Sequence, residues 1–501
     1  MQKRETWGSR AGFILAAVGS AIGLGNIWRF PYMAYENGGG AFLVPYFIAM
    51  LAAGIPFMIL EFGLGHKFKG SAPKIFASIS RRMEWLGWFQ IAVCFIIVTY
   101  YVAVIGWAIQ YFLMSFNQGW GASPADFFFK DFLALTSSPM ELGGVQWPIF
   151  FSVAVAWAVT FYAIFTGVRG GIERLNKVFM PLLFVMVLVF IGFGLSLEGA
   201  TDGLQWLFKP DFSAITSYKV WTAAAGQIFY SLSIGFGIMV AYSSYLPKKS
   251  DINNNATMTV FINCGFSVLA GVMIFSVLGY MAAQKGVPVS EVVSSGVGLA
   301  FVTLPTAINM MPMPALFGGL FFLALTIAGL SSMISILEAI TSAVMDKLNM
   351  ARKPAAVLIC AVGFLVSVAF TTGGGLLLLD IVDHFVNNYG VLCGGLVEIC
   401  FLTWFCRLDV IQEHVNAASE FSVGVLWRVC LKFFVPIVLG YMSIKNLIGD
   451  LSDGYGGYPV DALTMFGWLV LLVAVVLAFA MSCKECAFSE CVATNNHLRR
   501  K

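Results

Sequence analysis

The chain has 501 residues, of which 59% are hydrophobic and only 11% are charged, and its mean hydropathy is +0.85. A soluble domain carries about 25% charged residues, so this composition excludes an ordinary soluble fold and indicates a membrane protein. The net charge of +3 is too small to suggest a nucleic-acid partner.

Long apolar blocks divide the chain into predicted membrane-spanning helices. A block of about 18 or more apolar residues is long enough to cross the hydrocarbon layer as a helix. The pattern predicts an all-α membrane protein with twelve transmembrane helices, which we number as spans one to twelve. Their predicted limits are 11–36, 40–64, 87–116, 147–166, 174–197, 218–246, 255–282, 315–346, 354–373, 377–405, 425–447 and 461–482.

The distribution of positive charge predicts how these spans are oriented. With twelve spans, most lysines and arginines fall on one side, including Arg81, Arg82, Lys248 and Lys249. Because membrane proteins keep an excess of lysine and arginine in their cytoplasmic loops, both termini are predicted to be cytoplasmic. The apolar segment 291–314 is interrupted by prolines, and we expect it to cover the outer side without crossing the membrane.

The ten cysteines do not predict a disulfide framework, since none lies in a loop that we place outside. Near the C-terminus, Cys483, Cys486, Cys491 and His497 could form a zinc site. They lack the paired spacing of such sites, and we favour a plain cytoplasmic tail.

Spans one and six contain residues that disfavour a regular helix. Residues 19–26 read Gly-Ser-Ala-Ile-Gly-Leu-Gly-Asn, and residues 231–237 read Ser-Leu-Ser-Ile-Gly-Phe-Gly. Each glycine weakens a helix by about 1 kcal/mol. Irregular backbone at membrane depth occurs where it is buried in protein or lines a cavity, and there it offers amides to anions and carbonyls to cations. The alternative is a set of small residues for close helix packing, which accounts for the glycines but less well for Asn26 and the serines.

Motifs in spans one, six and eight resemble those of the neurotransmitter:sodium symporter family. They are Gly-Leu-Gly-Asn-Ile-Trp-Arg-Phe-Pro-Tyr at 23–32, Glu-Asn-Gly-Gly-Gly-Ala-Phe at 36–42, Gly-Gln-Ile-Phe-Tyr-Ser-Leu-Ser at 226–233 and Ala-Gly-Leu-Ser-Ser at 328–332. The resemblance implies a leucine-transporter-like (LeuT-like) fold, in which two five-helix repeats are inverted relative to each other and spans one and six are broken. The implied parts are an N-terminal segment 1–10, repeats 11–197 and 218–405, two further helices in 425–482 and a tail 483–501.

The same resemblance implies two sodium sites. The first would use Ala21, Asn26, Ser231 and Asn263, together with the carboxylate of the substrate. The second would use Gly19, Ile22, Ala328, Ser331 and Ser332. Both sets consist of carbonyl, amide and hydroxyl oxygens, which suit a hard cation and bury no formal negative charge.

The implied substrate site lies between the broken spans. Backbone amides near Leu24 and Gly25 suit a carboxylate, and the Ser233 hydroxyl suits an ammonium group. Gly23 takes the place of an aspartate found in monoamine carriers of the family, so the substrate must supply its own carboxylate. Ser20 and Tyr230 replace an asparagine and a phenylalanine of the bacterial leucine transporter, which makes leucine itself an uncertain substrate. The implied substrate-contacting residues are Ser20, Ala21, Gly23, Leu24, Gly25, Ile97, Tyr101, Tyr230, Ser231, Ser233, Phe236, Ser332 and Ile336.

Charge balance predicts a chloride site. Two sodium ions and one zwitterion leave a buried excess of positive charge, which is costly without a nearby anion. Span seven has no acidic residue between Ala256 and Gln284, and Ser267 stands where some relatives have a glutamate. Glu61 or another buried carboxylate is the alternative source of negative charge. The implied chloride ligands are Tyr46, Gln227, Ser231 and Ser267.

Two sets of charged and aromatic residues are implied to act as gates. The outer gate would pair Arg29 with Asp383, and ordinary surface salt bridges are the alternative interpretation. The implied inner gate residues are Arg4, Asp346, Trp7 and Tyr245.

Further ionisable residues fall within apolar spans. Glu61, Glu338 and Glu398 could anchor broken backbone or respond to protons. His384 could be a pH-sensitive element of the outer gate, although a residue of the outer vestibule is the favoured interpretation.

We therefore expect a sodium-coupled, chloride-assisted symporter that imports a small to medium neutral amino acid by alternating access. The expected location is a bacterial inner membrane, and the oligomeric state is not predicted. The alternatives are a proton-driven amino acid carrier, a sodium symporter for a γ-amino acid or a betaine, and a channel or receptor. An enzyme is not expected, since no nucleophile–histidine pair or metal motif lies at a common depth.

Overall fold

The computed structural model describes residues 4–294 and 296–483. Cys486, Cys491 and His497 lie outside the described residues, as does nearly all of the predicted tail. Within the described ranges the chain is mostly helical, and its β-pairing is limited to isolated bridges. The predicted all-α fold class is confirmed.

Long helices follow the predicted spans closely. In chain order they are Arg10–Ala21 with Leu24–Glu36, Gly40–Phe68, Arg81–Met114, Trp147–Gly194, Tyr218–Ser231 with Ile238–Ser244, Ile252–Lys285, Pro314–Leu348, Arg352–Thr371, Gly375–Phe405, Val425–Ser452 and Val460–Cys483. Among the connections, shorter helices cover Ala72–Ile79, Ala200–Phe208, Gly296–Met310 and Leu408–Ala417.

The chain crosses the membrane many times. Among the described residues, nine helical stretches are long and apolar enough to span, and the bent pair of span one makes ten. One stretch, Trp147–Gly194, has 48 residues. At ~1.5 Å per residue it would be about 72 Å long, more than twice the roughly 30 Å hydrocarbon layer. Gly167, with φ of 90°, interrupts it between predicted spans four and five. The number twelve itself stays a prediction.

Spans three and eight form the centre of the bundle. The most apolar window of Pro314–Leu348 is 89% buried, whereas that of Val460–Cys483 is 33% buried. The central pair packs closely at Gly329, where a Cβ atom would lie 2.7 Å from Ile105. Peripheral helices expose apolar side chains such as Leu426, which matches a lipid-facing surface.

Spans one and six are both broken near their middles, as the sequence predicts. The two helices of span one meet at an angle of 55°, and Ile22 and Gly23 between them have extended backbone. In span six the helix stops at Ser231 and resumes at Ile238. Ser233 has a φ of 54° within that break, a left-handed conformation that is uncommon outside glycine and is often found at functional sites.

Candidate functional site

A cavity of about 470 Å³ lies where the breaks of spans one and six face spans three, eight and ten. Every residue implied above to contact the substrate lines this cavity. The broken backbone therefore borders a cavity, which is the setting in which irregular structure is tolerated inside a membrane.

One end of the cavity has the features of a carboxylate site. The helix Leu24–Glu36 begins here, and the backbone N–H of Leu24 donates to the Tyr101 hydroxyl over 3.4 Å. A Cβ atom on Gly23 would lie 3.0 Å from Ser332 Oγ and 3.1 Å from Tyr101 Oη, so a side chain at this position would crowd both hydroxyls. A Cβ atom placed on Gly25 would have no neighbouring atom within 4 Å. The first turn of this helix thus presents free space next to backbone amides, which attract negative charge.

The side chains of the implied first sodium site form a single buried cluster. Asn26 Nδ2 lies 3.0 Å from Ser231 Oγ and 2.9 Å from Asn263 Oδ1. It also lies 2.9 Å from Ser267 Oγ, and Asn263 Nδ2 donates to Ser231 Oγ at 2.7 Å. Asn26 Oδ1 accepts the backbone N–H of Gly23 at 2.9 Å. Amide and hydroxyl groups from spans one, six and seven therefore converge at one place. A cation there would meet Ser231 Oγ and Asn263 Oδ1, and Asn26 would offer its oxygen once its amide turns over.

The implied second sodium site lies where the break of span one touches span eight. Ser332 Oγ donates to the carbonyls of Ser20 and Ile22, each at 3.3 Å. Ser331 Oγ donates to the carbonyl of Ala328 at 3.0 Å. The Ser332 hydroxyl thus reaches two carbonyls at the break of span one, whereas Ser331 bonds a carbonyl of its own helix. Several neutral oxygens of spans one and eight therefore lie close together.

Gly19, another implied ligand, is held close to span five. A Cβ atom on Gly19 would lie 2.3 Å from Asn176 Oδ1 and 3.2 Å from Met180 Sδ. Asn176 Oδ1 is buried and has no hydrogen-bond partner among the described residues. Span five therefore packs closely against the first half of span one at Gly19.

Two of the implied chloride ligands, Ser231 and Ser267, belong to the same cluster. The Tyr46 hydroxyl and Gln227 Oε1 are buried and lack hydrogen-bond partners within the described part of the chain. Tyr46 lies beside Ser267, whose Oγ donates to the carbonyl of Asn263 at 3.2 Å. Unpaired polar groups are costly when buried. The Tyr46 hydroxyl can donate to an anion or a water, whereas Gln227 Oε1 is an acceptor that a water or a cation would satisfy.

The buried glutamates take two different roles. Glu61 Oε1 accepts the backbone N–H of Gly235 at 3.0 Å, so it anchors the break of span six. Glu398 accepts from Gln90 Nε2 at 2.6 Å. Glu338 instead forms an ion pair on the Arg4 side of the protein, described below.

Comparisons with known proteins agree with this geometry. The model of the Sodium:neurotransmitter symporter family matches residues 4–123 and 120–487. An uncharacterized sodium-dependent transporter of Methanocaldococcus jannaschii is 44% identical over 477 residues, which cover 95% of this chain and 97% of that protein.

This chain belongs to the sodium:neurotransmitter symporter family.

Two further family members extend the range of relatives. The sodium-dependent dopamine transporter of Caenorhabditis elegans is 30% identical over 91% of this chain and 82% of its own length. The human sodium- and chloride-dependent creatine transporter 1 is 30% identical over 89% of this chain and 77% of its own length. The chain is thus a sodium-dependent transporter of this family, and its relatives are transporters rather than enzymes.

The Arg4 side of the symporter is closed. Arg4 Nη1 lies 3.1 Å from Asp346 Oδ2, and Arg4 also donates to Ser244 Oγ and Ser342 Oγ. Trp7 Nε1 donates to the carbonyl of Tyr242 at 2.8 Å.

A second ion pair reinforces this closure. Tyr245 Oη donates to Glu338 Oε1 at 2.6 Å, and Arg352 Nη1 lies 2.5 Å from Glu338 Oε2. The backbone N–H of Trp7 donates to the carbonyl of Tyr245 at 3.1 Å. The implied gate residues on this side are therefore joined into one network, to which Glu338 and Arg352 must be added.

The Arg29 side is open. Arg29 and Asp383 both line the cavity but form no ion pair within 4.0 Å in the described structure. The Arg29 guanidinium instead lies over the Tyr230 ring, 4.7 Å from its centroid. Asp383 accepts from Asn387 Nδ2 at 2.8 Å. The cavity extends between these residues to the segment at Val297.

Several lining residues were not predicted. Tyr100, Leu379, Asp380 and Asn387 are examples. Within span ten a π-helical turn at Val386–Val391 changes which residues face the cavity, and such turns occur frequently at functional sites. In the sequence, the polar run Asn-Asn-Tyr at 387–389 inside an apolar span was the signal that could have indicated this turn.

Proposed function

We propose that this symporter imports a small to medium neutral amino acid, driven by two sodium ions and assisted by chloride. The observation that carries the proposal is the arrangement at the start of the helix Leu24–Glu36. There the Leu24 amide, the Tyr101 hydroxyl and the open space at Gly25 lie next to the buried cluster around Asn26. A carboxylate in that space would meet both backbone amides and a sodium ion.

The other walls of the cavity limit the substrate. Ile97, Phe236 and Ile336 contribute apolar side chains, which favour a neutral side chain of modest size. Ser233 Oγ lies 3.0 Å from the Ser20 carbonyl, and an ammonium group can replace that internal contact. Crowding at Gly23 leaves no room for an aspartate that would bind an amine lacking a carboxylate.

Two groups of neutral oxygens support the two sodium ions. The first group, around Asn26, is adjacent to the proposed carboxylate, so sodium and substrate would share a contact. The second group, around Ser332, joins span one to span eight. Because linkage is reciprocal, sodium that stabilises this arrangement must also strengthen substrate binding.

Chloride would supply the negative charge that the site lacks. Glu61, the alternative source, contacts the backbone N–H of Gly235 and forms no hydrogen bond with the cluster around Asn26 in the described structure. The buried Tyr46 hydroxyl, which can donate to an anion, lies beside Ser267. The human creatine transporter is named as chloride-dependent, which supports the same assignment.

The closed side would face the cytoplasm. Its loops carry most of the lysines and arginines, as expected for cytoplasmic loops. The open side would then admit substrate from outside, with Arg29 and Asp383 closing over it before the Arg4 network opens. In this proposal the two repeats, 11–197 and 218–405, provide the moving and fixed parts of a carrier in a bacterial inner membrane.

Uptake into proteoliposomes tests the proposal. Alanine, glycine, methionine and leucine are offered with an inward sodium gradient, a proton gradient or neither, and a monoamine and a betaine serve as comparison substrates. We expect uptake of at least one amino acid only with the sodium gradient. Uptake driven by protons alone, or restricted to the monoamine or the betaine, would contradict the proposal.

The chloride assignment has its own test. Chloride is replaced by gluconate for the wild type and for Ser267→Glu. Chloride-dependent uptake by the wild type and chloride-independent uptake by Ser267→Glu are expected. Equal wild-type uptake in both anions would remove chloride from the mechanism.

A further inference from the structure

A chain of hydrogen bonds runs from the cavity into span eleven. The Tyr230 hydroxyl donates to Asn388 Oδ1 over 3.4 Å. Asn388 Nδ2 lies 3.1 Å from His384 Nδ1, and His384 Nε2 lies 2.8 Å from Asp450 Oδ2. The link at Tyr230 is the longest of the three and exceeds the usual ~2.7–2.8 Å of an O–H···O bond. It is therefore the link most easily broken.

The donors around Asn388 determine which way its amide points. Its Oδ1 accepts from Tyr230 and from Asn446 Nδ2, the latter at 2.9 Å. Its Nδ2 must then donate to His384 Nδ1, which can accept only if that nitrogen carries no proton. His384 therefore keeps its proton on Nε2 and donates it to Asp450.

Protonation of His384 would reverse this order. An imidazolium ring has N–H donors at both nitrogens, so Nδ1 would face the amino group of Asn388, another donor. The Asn388 amide would have to turn over to offer its oxygen to His384. Tyr230 would then lose the acceptor for its hydroxyl proton, and its oxygen could only accept from the turned amide.

We propose that Asn388, backed by His384 and Asp450, is a positioning residue that holds the aromatic ring of Tyr230 over the substrate cavity and releases it when His384 is protonated. This inference rests on the proposed function, because it assigns Tyr230 to the substrate site. Asn388 touches neither substrate nor ions. It acts through Tyr230, whose ring also carries the Arg29 guanidinium.

The groups facing His384 are acidic or neutral. Asp380 and Asp383 lie on its own helix, and Tyr455, from the loop after span eleven, stacks on its ring at 3.5 Å. Asp450 also accepts from Tyr389 at 2.5 Å. Of the cations near this end, Arg29 lies over Tyr230 and Lys445 lies over Tyr218. The surroundings thus provide an anion, Asp450, that can hold a protonated His384 in place.

The test compares substrate KM between about pH 5.5 and 8, a range in which histidine commonly changes charge. In the wild type, KM should rise as pH falls, by roughly 2- to 12-fold, which corresponds to one neutral hydrogen bond of about 0.5–1.5 kcal/mol. Glutamine does not change charge, so the KM of His384→Gln should stay constant over this range. Asn388→Leu should have a raised KM at both pH values and no response to pH.

A matched control is His414→Gln, which removes a histidine far from the cavity and should keep the wild-type response. A wild type without a pH response, or an equal response in His384→Gln, would overturn the proposal. A purely structural role for Asn388 would change KM and leave the pH response in place, which would also overturn it.

A second readout does not depend on transport. Ile97 lies one helical turn beyond Tyr101, further from the Arg29 side, and Ile97→Cys can be labelled with a membrane-impermeant thiol reagent. At low pH, Ile97→Cys should be labelled faster than the double variant that carries both Ile97→Cys and His384→Gln. If no amino acid is transported the proposed function fails, but this labelling still decides the role of Asn388. Identical pH profiles in the two proteins would reject that role.

Discussion

The two ends of the transport pathway use similar residues but are in opposite states. On the Arg4 side, an arginine, an aspartate and two aromatic residues are joined by short contacts, including Arg4 to Asp346 at 3.1 Å. On the Arg29 side, Arg29 and Asp383 remain apart and the cavity passes between them. The residue types alone therefore do not determine which end is closed.

The difference lies in the number of partners that each charged group has. Asp346 contacts Arg4, also contacts Lys74 at 3.7 Å and accepts the backbone N–H of Ser71 at 2.8 Å. Asp383 accepts from Asn387 and from the Tyr100 hydroxyl and has no cation within 4.0 Å in the described structure, and Arg29 lies over an aromatic ring. A buried charge with several partners stabilises one closed arrangement, whereas groups with fewer partners can exchange them as the other end opens and closes.

The largest expected effect comes from breaking the closed end. Arg4→Ala leaves Asp346 buried with one fewer cation, and removing one member of such a pair costs about 3–5 kcal/mol. We expect sodium-driven uptake to fall at least tenfold and the Arg4 side to open. Lys130→Ala, which removes an exposed pair with Asp126, is the control and should leave uptake unchanged. Wild-type uptake by Arg4→Ala would show that the network does not close the pathway.

Loss of the cluster next to the cavity is the second effect. Asn26→Ala and Asn263→Ala each remove an oxygen that would bind sodium, and a hydrogen bond or contact with a charged group is worth about 1.5–3 kcal/mol. Sodium affinity should therefore fall roughly 10- to 100-fold, and substrate affinity should fall with it. The measurement is substrate binding as a function of sodium concentration. If both variants keep the wild-type sodium dependence, the first sodium site lies elsewhere.

A smaller effect is expected from a change at the open end, where Asp383 lies. Asp383→Asn keeps an oxygen for Asn387 but removes the charge that Arg29 needs for closure. Substrate affinity should fall up to about tenfold, the scale of one hydrogen bond. Thermal stability in detergent should not change, because no ion pair exists in this state. A clear loss of stability with unchanged affinity would mean that Asp383 is structural.

The smallest effect concerns a histidine pair that joins span two to the helix Leu408–Ala417. His66 Nδ1 lies 3.0 Å from His414 Nε2, and His66 Nε2 lies 2.8 Å from the carbonyl of Pro247. Burial, followed by the charge of Lys67, lowers the pKa of His414 to about 4.

This pKa gives a direction to the pH dependence of stability. The unfolded chain, with a histidine pKa of about 6.5, binds more protons than the folded chain between pH 4 and 6.5. Stability should therefore decrease as pH falls through that window. The midpoint of thermal unfolding in detergent should drop less in His414→Gln than in the wild type. Equal drops in the two proteins would exclude His414 as the cause.

Much of the site could be predicted from the sequence because its chemistry is local. Glycines and hydroxyls concentrated within residues 19–26 and 231–237 located both helix breaks, and the substrate residues implied by the family resemblance all line the cavity. Such features depend on neighbouring residues along one helix, and neighbours are visible in a sequence.

The remaining features depend on how separate helices meet. Asn388 faces Tyr230 because a π-helical turn at Val386–Val391 adjusts the register of span ten. Glu338 pairs with Arg352 only because the next helix turns back beside its own. The open state of the Arg29 side is likewise a property of one conformation, and a sequence encodes more than one conformation.

The most direct test is the accessibility of one cysteine at each end. Leu379→Cys lines the open cavity, and Ser71→Cys lies beside Asp346 while keeping the backbone N–H that contacts it. In sodium without substrate, an impermeant thiol reagent should label Leu379→Cys quickly and Ser71→Cys slowly, with the protein lacking either change as the blank. Adding a transported amino acid should slow labelling of Leu379→Cys. Fast labelling of Ser71→Cys together with protection of Leu379→Cys in sodium alone would contradict the account.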